Sequence, residues 1–231
     1  MPVFFLLFAL LLVLPVVWPR IDLIASGFFY RAHEGFFLAD NPVFTALHWL
    51  AYYGARGLGV AFAVLALAAW VRRKPMGGVD AKAWTFLLLA LLIGPALIAN
   101  AGFKDHWGRA RPREVTEFDG AAPFSPALVP QPGARRNGSF VSGDGAFGFF
   151  LPAFAFVAPK RRSRRVFWGC MGAGTLFGFA RLAMGAHFLS DVIYAAFLML
   201  AASSAVHAAM YGRAVTVARW RSWFKRGPTA G

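Results

Sequence analysis

Val166-Phe-Trp-Gly-Cys170-Met-Gly-Ala-Gly-Thr-Leu-Phe-Gly-Phe-Ala180 is an apolar run. It meets Arg181-Leu-Ala-Met-Gly-Ala-His187-Phe-Leu-Ser-Asp191, and a second apolar run then extends from Phe188 to Tyr211. Two such runs read as membrane spans, so a cation, an imidazole and a carboxylate at their junction need a chemical reason. If the chain becomes helical near His187, Asp191 lies one turn on and on the same face. Its carboxylate can then accept from one ring nitrogen and leave the other basic, which is how a base or nucleophile is oriented. The competing reading of His187 taken alone is an ordinary interfacial or capped histidine.

Working outward, composition places the whole chain in the membrane class. Of 231 residues, 58% are hydrophobic and 25 are Phe, above the roughly half expected of a soluble domain. The net charge is +14, from 24 Lys and Arg against 10 Asp and Glu. In a soluble chain that excess would suggest nucleic acid, but here the basic residues fall between apolar runs, so no nucleic-acid partner is expected. The single cysteine, Cys170, lies inside an apolar run, which excludes an intramolecular disulfide and a thiolate metal site.

The expected fold is all-α, a bundle of six transmembrane spans. They are Val3–Trp18, Gly54–Val71, Trp84–Phe103, Phe147–Ala158 with its preceding turn, Val166–Ala180 and Phe188–Tyr211. Val3–Trp18 is read as a span rather than a signal peptide, because no basic region precedes it and no small-residue cleavage site follows closely. Residues 20–54 are amphipathic and aromatic and fit a segment lying at the interface. Residues 1–212 form the membrane domain and 213–231 a basic cytoplasmic tail, whose last dozen residues are the best candidates for disorder. Arg72-Arg73-Lys74, the basic run 160–165 and the basic C-terminal segment fall on one side, which is therefore cytoplasmic and holds both termini. The charged motifs then face outward.

The longest segment between spans, 104–141, opens with Lys104-Asp-His106-Trp-Gly-Arg109-Ala-Arg111-Pro112-Arg113, a cationic cluster on the side where the positive-inside rule disfavours it. Arg forks and a Lys point charge suit a phosphoryl group, and anionic lipid head groups are the other ligand they fit. A segment this long is usually a functional loop or a lid. It closes on Asn137-Gly-Ser139-Phe-Val-Ser142-Gly143-Asp144-Gly145, where Ser142 is placed to cap the next helix and bare amides form an anion site.

Lys104-x6-Arg111-Pro112, Ser142-Gly143-Asp144 and Arg181-x5-His187-x3-Asp191, in that order, resemble the three-part signature of the type 2 phosphatidic acid phosphatase superfamily. The surrounding residues look most like its bacterial lipid A phosphatase branch. The resemblance implies a metal-independent membrane lipid phosphatase with no cofactor, in the bacterial inner membrane with its site facing the periplasm at the membrane–water interface. It also implies residue roles. His187 would be the nucleophile that forms a phosphohistidine, held by Asp191, while Lys104, Arg111, Arg181 and the Ser142-Gly143 amides would bind the phosphoryl oxygens. A lipid A-type phosphate and a polyprenyl diphosphate both fit as the phosphorylated lipid partner; oligomeric state is left open.

Two positions depart from the family pattern. Ala180 replaces a Ser before the third-motif Arg. Asp144 stands where a His commonly acts as general acid, and surrounding cations oppose protonation of a carboxyl group. Asp144 is then a working acid in apolar surroundings, or a residue relieved of the acid role by a good leaving group, or the mark of a weak relative; the second reading is preferred. A phosphotransferase using the same site, and a non-catalytic anion-binding protein or transporter, are the alternatives of function.

Overall fold

The computed structural model describes residues 2–131, 133 and 137–224. Helix α1 (Pro2–Val17) turns sharply into the short α2 (Ile21–Gly27), the two axes differing by 97°. A two-stranded hairpin follows, β1 (Tyr30–Arg31) pairing antiparallel with β2 (Gly35–Phe36). Then come α3 (Pro42–Arg72) and α4 (Ala81–Leu91), which widens into a π-helical continuation over Leu92–Lys104. Helix α5 (Gly143–Phe150) continues through a 3-10 turn (Leu151–Ala153) into α6 (Phe154–Val157), and α7 (Lys160–Ala183), α8 (Leu189–Tyr211) and α9 (Arg213–Phe224) complete the chain.

Local chemistry accounts for the helix starts. The Asn41 side-chain oxygen Oδ1 accepts from the Val43 and Phe44 amides at 3.0 and 3.2 Å, and Pro42 occupies the first turn, where a missing N–H costs nothing. Asp80 caps α4 through the Ala83 amide at 2.7 Å. Ser142 caps α5 through the Gly145 amide at 3.1 Å, as its position in the sequence suggests. Pro95 lies inside the widened stretch of α4, where it supplies no amide hydrogen and disturbs the normal ladder.

Four helices are long and apolar enough to cross a membrane: α3, α4 with its continuation, α7 and α8; the α1–α2 pair makes up to five. The expected six spans are therefore met in part. The expected fourth, here Gly143–Val157, is a shorter apolar helix whose residues Gly145–Phe150 are all buried, so it forms the inner post of the bundle. Its neighbours are α7 and α8.

Residues 20–54 do not form one interfacial segment. Pro42–Gly54 is the first part of α3, because the Asn41-Pro42 start signal outweighs Gly54, which a continuous helix tolerates. This extension brings His48 to the end of the bundle that carries the signature residues.

The opposite end is closed by aromatic packing. Trp223 of α9 is fully buried, stacks on Phe167 at 4.4 Å and donates to the Ser163 hydroxyl at 2.5 Å. The segment expected as a tail thus begins as a helix docked on α7 and α8, while residues 225–231 lie outside the described ones.

Candidate active site

Five helix ends converge on a cavity of about 570 Å³ lined by His48, Trp49, Tyr52, Lys104, Arg111, Arg113, Glu114, Asn137, Asp144, Arg181 and His187. Lys104 ends the α4 continuation, Asp144 opens α5, Arg181 lies in the last turn of α7, and His187 occupies the link to α8. Cavities of about 570 and 610 Å³ elsewhere, beside Arg73 and Asp80 and beside Arg213 and Arg221, lack this chemistry. Gly143 sits against the Lys104 ammonium, since a Cβ there would meet Nζ at 3.0 Å. The Arg181 Nε is buried with no aligned hydrogen-bond acceptor, although Asp144 Oδ2 is 3.2 Å away. A buried donor left in that state has capacity for an anion. Arg111 is anchored by the Asn137 carbonyl at 3.1 Å and its side-chain oxygen at 3.3 Å.

The histidine has one defined tautomer. His187 Nδ1 is 2.7 Å from the Ser139 main-chain oxygen, and a carbonyl only accepts, so Nδ1 carries the proton and Nε2 keeps its lone pair. Burial pushes the imidazole down to about 4, so the ring is neutral near pH 7. Asp191 Oδ2 lies 3.8 Å from Nδ1, beyond hydrogen-bond reach. The expected carboxylate orienter is thus replaced by a peptide carbonyl, and Asp191 acts on the ring as a nearby negative charge. The reason is competition: Asp191 already accepts from Arg109 Nη1 at 2.5 Å, the Phe188 amide at 2.8 Å and the Ser139 hydroxyl.

The PAP2 superfamily matches residues 82–214 of this chain, more than half of its length. The chain belongs to the PAP2 superfamily. A lipid A 4'-phosphatase of Francisella tularensis subsp. novicida is 33% identical over 201 residues, covering 85% of this chain and 89% of that protein. A lipid A 4'-phosphatase of Rhizobium leguminosarum is 39% identical over 103 residues, covering 45% of this chain and 44% of the relative. No solved structure matches. As a PAP2 lipid phosphatase with several membrane-length helices, the chain is a hydrolase and a multi-pass membrane protein.

Around the PAP2 signature, several partners escaped the sequence reading. Arg109, one of the intervening residues of the first motif, is fully buried and binds Asp191, Asp22 Oδ2 at 2.7 Å, the Ser190 hydroxyl at 2.9 Å and the Ser125 carbonyl at 3.0 Å. Its guanidinium also lies 4.4 Å from the Phe188 ring centroid. Asp22 in turn accepts from the Ser190 amide at 2.8 Å, so the short helix α2 is tied to the start of α8. Asp22 and Asp191 are 169 positions apart, and nothing local announces their shared cation. His48 is the second omission; its Nδ1 is 2.8 Å from Asp144 Oδ2.

The described part of the loop after Lys104 is packed rather than loose. Trp107 Nε1 donates to the Ala127 carbonyl at 2.7 Å, and Val115 and Phe118 are buried with Phe36 and Phe188. Part of the lid expected over 113–139, residues 132 and 134–136, lies outside the described residues.

Proposed function

We propose that this protein removes the phosphate of a lipid A-type head group by way of a phosphohistidine on His187, with the site at the outer membrane–water interface. The observation that carries the reading is the neutral His187, whose Nδ1–H is held by the Ser139 carbonyl, in a pocket lined by Lys104, Arg111 and Arg181. Nε2 attacks phosphorus, the ester P–O bond breaks, and the leaving oxygen takes a proton. The ring becomes positive as the P–N bond forms, and the Asp191 carboxylate 3.8 Å from Nδ1 opposes that charge. The three cations and the amides at Ser142-Gly143 stabilise the phosphoryl oxygens, which is most of what phosphoryl transfer requires of a protein. Water then attacks phosphorus and the P–N bond breaks, restoring Nε2 and releasing phosphate.

The named substrate of the Francisella and Rhizobium relatives favours a lipid A 4'-phosphate over a polyprenyl diphosphate. The interfacial site is supported by exposed Trp49, Tyr52 and Tyr53 beside the pocket, since aromatic residues concentrate at head-group depth. The basic segments at Arg72-Arg73 and Lys160–Arg165 lie at the helix ends away from the pocket, which favours a cytoplasmic location for those ends and a periplasmic site in an inner membrane.

Phosphate release from a lipid A 4'-phosphate substrate by detergent-purified protein tests the reading. Release in EDTA that His187→Ala abolishes is the expected result. Release that survives His187→Ala refutes the phosphohistidine. Transfer of the group to an added lipid alcohol, without free phosphate, would move the protein to the phosphotransferases.

A further inference from the structure

A 4'-phosphate is the ester of an ordinary sugar alcohol, and such an oxygen departs slowly unless a proton reaches it as the bond breaks. Asp144 cannot readily supply that proton. Its Oδ2 lies 2.8 Å from His48 Nδ1, with which it is hydrogen-bonded, and is ion-paired with Arg181, Nε at 3.2 Å, so the carboxyl group is placed to accept. The donor facing it has the required chemistry. His48 lies on α3, lines the same cavity as His187 and keeps about a third of its side chain exposed. Its Nδ1–H is taken up by Asp144, which leaves Nε2 as the ring atom able to give a second proton to a ligand.

We propose that His48 is the general acid of the reaction and that Asp144 is its positioning residue, an inference that rests on the lipid phosphatase reading above. In the first step His48 as imidazolium gives its Nε2 proton to the ester oxygen while the P–O bond breaks and His187 Nε2 bonds to phosphorus. The sugar leaves as its alcohol and His48 becomes neutral. In the second step His48 Nε2 removes a proton from the attacking water, the P–N bond breaks, and His48 is an imidazolium again. Asp144 accepts from Nδ1 throughout and so fixes the orientation of the ring. The two imidazoles line one pocket from separate elements, His48 from α3 and His187 from the α7–α8 link, and the displacement needs nucleophile and acid on different sides of phosphorus.

The test uses two substrates of full-length protein in detergent. One is a lipid A 4'-phosphate, and the other a nitrophenyl phosphate carrying an acyl chain, whose leaving group departs without protonation. His48→Gln keeps a donor for Asp144 but has no proton to transfer. Its rate of leaving-group release in a single turnover, which reads the first step alone, is expected to fall by about 100-fold or more on the sugar ester, the usual contribution of general acid catalysis, with little change on the aryl ester. Equal losses on both substrates, or no loss on either, overturn the assignment. Activity on the aryl ester reports that the variant is folded. If His48→Gln does not fold, Asp144→Asn decides on the same criterion, with the same selective loss expected. His187→Ala runs beside them: if wild type shows no His187-dependent release from either ester, the lipid phosphatase reading fails, and that result is distinct from a failure of His48.

Discussion

Arg109→Met removes the only cation in contact with two buried carboxylates, Asp22 and Asp191, among the described residues. The side chain is fully buried and all three guanidinium nitrogens are bonded, so methionine fills the space but supplies none of the four partners. Breaking a buried ion pair by deleting one partner costs about 3–5 kcal/mol, because the charge left behind has neither water nor a counter-ion. At the ~2–4 °C per kcal/mol usual for a chain of this size, the thermal midpoint should fall by on the order of 10 °C. The assay is thermal unfolding in detergent, read with phosphate release below the new midpoint. Activity should be lost there as well, because Asp191 loses the anchor that fixes it near His187. Adding Asp22→Asn removes one of the two stranded charges and should recover part of the stability. A midpoint within a degree or two of wild type, or no recovery in the double variant, would refute the view that Arg109 is the electrostatic keystone between α2 and α8.

Gly185→Ala should cost activity and stability together: φ is +65°, and a Cβ would lie 2.4 Å from the Phe36 ring, so left-handed strain of about 1–2 kcal/mol adds to overpacking of about 1–3 kcal/mol two residues before His187. Thermal melts and phosphate release of the variant check this. The buried His187 sets a pH dependence of stability: its folded value is about 4 against an ordinary 6.5, so the unfolded chain binds the extra proton between those values. Stability therefore falls as pH drops from 6.5 toward 4, by about 3 kcal/mol in all, and the fall should be largely absent in His187→Gln when both are melted across that range. Trp223→Ala should lower the melting midpoint through a loss of about 3–5 kcal/mol and leave kcat of the folded protein unchanged, since the indole packs at the end of the bundle away from the pocket.

The signature residues were legible because their chemistry is concentrated in short spacings. Lys104, Arg111, Asp144, Arg181 and His187 occupy one pocket, and Ser142 caps the helix it was expected to cap. Helical character was equally legible in the apolar runs. What escaped depends on contacts between distant segments. Asp22 lay in a stretch assigned to the interface, and only the bend between α1 and α2 turns it inward. His48 was hidden by an error of register: beginning the second span at Gly54 left the histidine outside it, whereas α3 starts at Pro42 and carries it to the pocket. Asp191 is not the direct orienter because Oδ2, its oxygen nearest the ring, already accepts from the Ser139 hydroxyl and the Phe188 amide, while the Ser139 carbonyl takes the Nδ1 proton.

The carbonyl that holds His187 belongs to the peptide link, not to any side chain. Substitutions at Ser139 will register the loss of the hydroxyl given to Asp191 and remain silent about the acceptor on which the tautomer of His187 depends. A complete mutational scan of this enzyme would accordingly undervalue position 139. Replacing the amide between Ser139 and Phe140 by an ester, which weakens that oxygen as an acceptor without altering a side chain, is the change of covalent structure that reaches it.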